Sequence, residues 1–166
     1  GLIHPLNHDW MISSLQNGSR RRTKDGGISG NGITCQNGAW EAPITYDPND
    51  QMRIYDFGAD IYVSEDFGSN WIYQGSPFTS YINQSAIAEN NSDIILVSSG
   101  GVIKKSIDGG INFSDISNNL PGDHITDIAF DPNNDEIIII TYATWQNNGD
   151  KVYITTDGGN SWYNIT

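Results

Sequence analysis

The side chains in this sequence equipped for chemistry are aromatics and carboxylates, not nucleophiles or metal ligands. Trp40, Tyr55, Phe78, Tyr81, His124, Tyr142 and Trp145, with Asp56 among them, form a set suited to sugars. Aromatic faces stack on pyranose rings while neighbouring carboxylates and amides bond to hydroxyls. The same aromatics would also serve simply as anchors of their loops. His4, His8 and His124 lack the spacing of a metal site, so no metal and no cofactor is expected. A Gly-x-Ser-x-Gly nucleophile elbow is missing too. Cys35, alone, cannot close a disulfide within the chain.

Those side chains need a scaffold, and the sequence repeats one. Ser64-Glu65-Asp66-Phe67-Gly68-Ser69-Asn70-Trp71 aligns without gaps on Ser106–Phe113 and on Thr155–Trp162. The shared pattern is Ser/Thr-x-Asp-x-Gly-x-x-aromatic, set by Ser64, Asp66, Gly68 and Trp71, by Ser106, Asp108, Gly110 and Phe113, and by Thr155, Asp157, Gly159 and Trp162. A degenerate copy, Thr23 to Gly30, has Gly in the aromatic position. The four Asp positions, 25, 66, 108 and 157, are 41, 42 and 49 residues apart. A period in the forties fits one four-stranded propeller blade. Each copy lies between two β-like runs. Its Asp can accept hydrogen bonds from backbone N–H groups two or three residues on, Gly supplies a positive φ, and the aromatic opens the next strand.

The strands follow. Thr126–Phe130, Glu136–Tyr142 with its four consecutive Ile, Lys151–Thr155 and Trp162–Ile165 read as one blade. Trp40–Tyr46, Met52–Phe57, Ile61–Ser64 and Trp71–Gln74 read as another, and Ser85–Ala88, Ile94–Ser98, Val102–Ser106 and Phe113–Ile116 as a third. Met11–Leu15 and Arg20–Thr23 look like the middle strands of an incomplete blade. The expected organisation is an all-β, partial propeller of about three and a half blades in one domain: residues 1–39 (incomplete), 40–75, 76–117 and 118–166. Closed propellers have typically four to eight blades, so the expected first partner is the remainder of the chain's own propeller. In such blades the turns between strands one and two, and three and four, share one face. Loops between strands two and three, and between blades, share the other, where the sugar-suited aromatics fall.

Composition narrows the partners. The chain has 20 Asp and Glu against 8 Lys and Arg, a net charge of −12. Nucleic acid, which needs clustered basic side chains, is not an expected partner. The basic run Arg20-Arg21-Arg22 with Lys24 reads as a solvated strand edge. The chain contains no apolar run of the roughly 20 residues a membrane-spanning helix needs, and none is expected to cross a bilayer.

The repeated pattern is the Asp-box, or bacterial neuraminidase repeat, so the chain resembles Asp-box propellers: sialidases, xyloglucanase-like glycoside hydrolases, sortilin-type receptors and secreted bacterial surface proteins. Leu15–Ser19, Tyr46–Asp50 and Phe130–Asn134 look most like the last group, sortilin-like or xyloglucanase-like proteins often exported by type IX secretion. That resemblance implies a secreted or cell-surface protein and a non-catalytic scaffold or binder of protein or glycan. The alternative it implies is part of a xyloglucanase-like hydrolase. Sialidase likeness would demand an arginine triad and an Arg-Ile-Pro segment, whereas Met52-Arg53-Ile54-Tyr55 lacks the proline. Xyloglucanase-like enzymes use two aspartates on the loop face, one following a second strand; Asp56 stands near such a position, offset by about a residue, with no identifiable second partner.

Overall fold

The computed structural model describes residues 1–143 and 149–166. Its regular elements are sixteen strands and one 3-10 turn, Gln16–Gly18, and no α-helix occurs among the described residues. Among the described residues no helix is long and apolar enough to cross a membrane. The chain separates into two compact units, Gly1–Ile82 and Asn83–Thr166.

The first unit holds two four-stranded antiparallel meanders, β1(Leu2–Ile3) to β4(Asn31–Gly32) through β2(Met11–Ser14) and β3(Arg20–Thr23), then β5(Ile44–Tyr46), β6(Ile54–Phe57), β7(Ile61–Ser64) and β8(Ile72–Gly75). The second unit holds β9(Gln84–Ile87), β10(Ile95–Ser99), β11(Val102–Ser106) and β12(Ser114–Asp115), then β13(Ile125–Asp131), β14(Asn134–Tyr142), β15(Val152–Thr155) and β16(Tyr163–Asn164). Every sheet runs in chain order, strand beside successive strand. The leading segment, expected to hold only two strands, therefore forms a complete sheet. Its outer members β1 and β4 have two residues each, too few to carry a periodic signal. Trp40 to Pro43, expected at the start of a strand, precedes β5 instead.

The turns joining third to fourth strands share one geometry. In Ser64–Asn70 the Ser64 hydroxyl donates to Asp66 Oδ1 at 2.8 Å and accepts the Gly68 N–H at 2.8 Å. Asp66 Oδ1 then accepts from Ser69 N and Asn70 N, both at 2.8 Å. Ser106/Asp108 and Thr155/Asp157 repeat this, with Gly110 N and Gly159 N bonded to the hydroxyl at 2.9 and 3.0 Å. The carboxylate thus reaches three and four residues ahead, one further than the sequence suggests, because the hydroxyl already holds the nearer N–H groups. The Thr23–Gly30 copy keeps the same bonds despite its missing aromatic: Thr23 Oγ1 accepts from Gly27 N at 3.0 Å, and Asp25 from Ser29 N at 2.9 Å.

Two successive left-handed residues turn the chain: Gly109 and Gly110 at φ 71° and 92°, Gly158 and Gly159 at 69° and 101°. In the second blade the first of these is Phe67, at φ 55° and fully buried. A non-glycine in that region costs about 1–2 kcal/mol. Phe67 offsets this by its packing: it joins Ile12 and Ile54 in the core of the first unit, with the His4 ring 5.1 Å away.

Within each unit the two sheets stack through repeated contacts. A Cβ on Gly68 would lie 2.8 Å from Ile33 Cδ1, and one on Gly159 2.7 Å from Ile116 Cδ1, so each turn glycine admits the isoleucine that follows the preceding blade's last strand. Arg22 donates to Phe67 O at 3.0 Å, and Lys105 to Gly158 O at 3.4 Å. Trp162 Nε1 donates to Ile116 O at 2.8 Å. The core of the second unit is built from Leu96, Ile103, Ile128, Ile138, Ile140 and Trp162 with their neighbours.

Candidate functional site

Asp56 sits in the middle of the second blade, paired in register between Ile44 and Tyr62. Its side chain is fully buried, and so is that of Arg20, whose Nη2 donates to Asp56 Oδ1 at 2.7 Å. The same nitrogen donates to Ala42 O at 2.9 Å and Pro43 O at 3.1 Å. Cys35 Sγ donates to Asp56 Oδ2 at 3.1 Å, and Gln36 Nε2 to Asp56 O at 2.9 Å. Burial pushes the Asp56 carboxyl upward while the Arg20 charge pulls it back. Burial, then the Asp56 charge, pushes the Cys35 thiol up, which leaves it unreactive. Arg20 Nε and Nη1 are buried and find no partner among the described residues.

This corrects the reading of the basic run as solvated. Arg20 is 1% exposed. Side chains alternate across a strand, so Arg20 and Arg22 point to the second blade while Arg21 points away and is exposed. A lone mid-strand Asp in one blade and an Arg at even spacing in the blade before it is the only trace this pair leaves in the sequence.

The aromatic candidates divide into two groups. Tyr55 and Tyr142 are core residues, 2% and 6% exposed, so neither presents a ring to solvent. Tyr142 meets Tyr153 edge-on at 5.8 Å, and burial pushes its phenol up. The others among the described residues lie on loops. Trp40 is 68% exposed at the edge of an open groove of about 600 Å³, lined also by Ser14, Leu15, Gln16, Glu41 and Pro43. Phe78 and Tyr81 line a second groove, of about 490 Å³, with Asp60, Thr79 and Ser80. There Asp60 is bonded by the Ser76 hydroxyl, which Tyr73 Oη meets at 2.9 Å. The two grooves share no lining residue. His124 is exposed in the second unit, its carbonyl accepting from Ala143 N at 2.9 Å. Trp145 lies outside the described residues. Gln16 and Glu41, polar groups flanking Trp40, were not singled out by sequence; loop residues carry no periodic signal.

The turn aspartates do different work. Asp25 is held at about 2 by the Ser29 hydroxyl and N–H and the Thr23 hydroxyl. Asp108 is held at about 2 by the Asn112 N–H and side chain and the Ser106 hydroxyl. For Asp66 burial pulls upward, and bonds from Asn70, Ser64 and Ser69 outweigh it, to about 2. A carboxylate so committed is a poor proton donor or acceptor near neutral pH.

Four meandering four-stranded sheets define the class: the chain is an all-β protein of β-propeller architecture. Solved structures agree. A GH74 enzyme of Niastella koreensis superposes with a TM-score of 0.73 at 19% identity, over 97% of this chain and 28% of that one. The GH74 xyloglucanase from Xanthomonas campestris gives 0.72 at 16% identity, over 99% of this chain and 30% of that one. YCF48 from Cyanidioschyzon merolae gives 0.63 at 13% identity, over 93% and 55%. The chain thus spans under a third of the two GH74 enzymes. At these identities the likeness is one of fold. No protein-family model matches the sequence, and no curated protein matches it either.

Proposed function

We propose that this chain is a non-catalytic, Asp-box propeller segment of a secreted or cell-surface bacterial protein, and that its loop face binds a glycan. One contrast carries the reading. The candidate carboxylate for hydrolysis, Asp56, is sealed and neutralised by Arg20, while Trp40 stands open over a groove edged by Gln16, Glu41 and Ser14. A flat exposed indole beside amide, carboxylate and hydroxyl groups suits a sugar ring, whose apolar face stacks while its hydroxyls bond. A glycan microarray probed with the chain, followed by Trp40→Ala, tests this. Binding to a glycan class that falls at least tenfold on the substitution supports it; binding indifferent to Trp40, or confined to proteins, overturns it.

A second reading, part of a xyloglucanase-like hydrolase, draws support from the likeness in fold to GH74 enzymes. It requires that the second carboxylate come from outside these residues, since inverting pairs stand about 6.5–9.5 Å apart around a water.

A further inference from the structure

Arg20 reaches past its counter-ion. It opens β3 in the first blade, yet its Nη2 also donates to Ala42 O at 2.9 Å and Pro43 O at 3.1 Å, just before β5 of the second blade. Ala42 and Pro43 line the Trp40 groove, so the guanidinium lies behind its wall. Residues 33–43, between β4 and β5, belong to no strand and have no ladder to hold them. Both ends of this stretch are tied. Ile33 N donates to Arg20 O at 3.1 Å and Gly38 N to Asn17 O at 3.1 Å, while Pro43 O accepts from Phe57 N at 3.0 Å. Gly18 and Gly38 pack backbone on backbone, where a Cβ on Gly18 would lie 2.8 Å from Gly38 N. Between those ties, among the described residues, Arg20 makes the one hydrogen bond to residues 39–42. Trp40 is 68% exposed, so burial of its own ring does not fix it.

Stability alone does not account for the Arg20–Asp56 pair. Replacing a buried ion pair by apolar side chains of like volume is often neutral or stabilising. Arg20 Nε and Nη1 are moreover left buried and without partners among the described residues. What an apolar pair cannot supply is a donor for Ala42 O and Pro43 O. Asp56 sets that donor in place: its Oδ1 accepts from the same Nη2 at 2.7 Å. Cys35 and Gln36, from the same linking stretch, donate to Asp56 Oδ2 and to its backbone O.

We propose that Arg20 is a positioning residue for the Trp40 site. Held by Asp56, it fixes the Ala42–Pro43 backbone and through it the way the indole stands over the groove. This rests on the reading of that groove as the glycan site, and it adds the residue that presents the ring. A sugar stacks on a preset indole without first ordering a loop, so losing the tether weakens binding with Trp40 itself intact.

Backbone nitrogen-15 relaxation of the wild type and of Arg20→Met with Asp56→Leu tests the positioning directly. Circular dichroism and urea unfolding first establish that the double variant is folded and comparably stable. Its order parameters at Trp40, Glu41 and Ala42 fall from about 0.85 to below about 0.6, while those of Ile54–Phe57 stay at about 0.85. Arg20→Lys keeps the charge beside Asp56 but ends one bond short of Nη2. It gives the same local fall and serves if the double variant does not fold. A glycan microarray reads the consequence: binding that Trp40→Ala abolishes falls about tenfold or more in the folded Arg20 variants. Order parameters unchanged at 40–42 overturn the proposal, and so does microarray binding that needs Trp40 but is indifferent to Arg20. A wild type that binds no glycan overturns the proposed function instead, and the order parameters then uphold or overturn the tether by themselves.

Discussion

Removing the Asp56 carboxylate leaves a charged Arg20 in an interior where it has lost its counter-ion. Both side chains are fully buried, the pair is 2.7 Å apart, and two guanidinium nitrogens already lack partners, so nothing nearby can take up the charge. Breaking a buried pair on one side costs about 3–5 kcal/mol. At about 2–4 °C per kcal/mol for a domain of this size, Asp56→Ala lowers the melting temperature by about 6–20 °C. Arg20→Met alone leaves the carboxylate buried and costs a similar amount. The double variant Asp56→Leu with Arg20→Met, which removes both charges and keeps volume, recovers most of the loss, because replacing a buried pair by apolar groups is often neutral or better. Urea unfolding of the wild type, Asp56→Leu, Arg20→Met and the double variant closes the cycle. A loss below about 1 kcal/mol for Asp56→Ala, or strict additivity in the double variant, would refute the assignment of this pair as a structural clasp between blades.

Phe67→Gly relieves a left-handed residue worth about 1–2 kcal/mol but empties a core site worth about 3–5 kcal/mol, so the packing term wins and the variant is destabilised by about 1–4 kcal/mol in chemical denaturation. Gly159→Ala sets a methyl 2.7 Å from Ile116 at a φ of 101° and costs about 1–3 kcal/mol, read in the same assay. Acid unfolding follows from the turn carboxylates. Asp25, Asp66 and Asp108 are held at about 2, below the value of 3.8 taken for a free Asp. Their folded values are depressed, so their contribution is present above about pH 4 and is lost as pH falls towards 2. Stability measured across that interval declines with pH, and Asp108→Asn flattens the decline.

The architecture was legible because the turn chemistry is local. Asp66, Asp108 and Asp157 hold their own neighbours' N–H groups, so the pattern that makes the turn lies within one stretch of sequence. The two-residue strands β1 and β4 were not legible; pairing with longer neighbours makes them strands, and that is tertiary information. The site was less legible still. Tyr55 and Tyr142 have the composition of binding aromatics and are core; β6 is buried on both its faces, and such burial is set by packing beyond the strand's own residues. Arg20 looked solvated in a run of three arginines, yet its partner Asp56 lies 36 residues away. Trp40, expected to open a strand, lies instead on the loop before β5 and is exposed there.

The most direct test of a non-catalytic, glycan-binding propeller is a reducing-end assay on xyloglucan with the wild-type chain and Asp56→Asn, alongside binding to the same polysaccharide. The account predicts that if xyloglucan is retained it is retained intact, with no reducing ends released by either protein. Release by the wild type that disappears in a folded Asp56→Asn protein would contradict it.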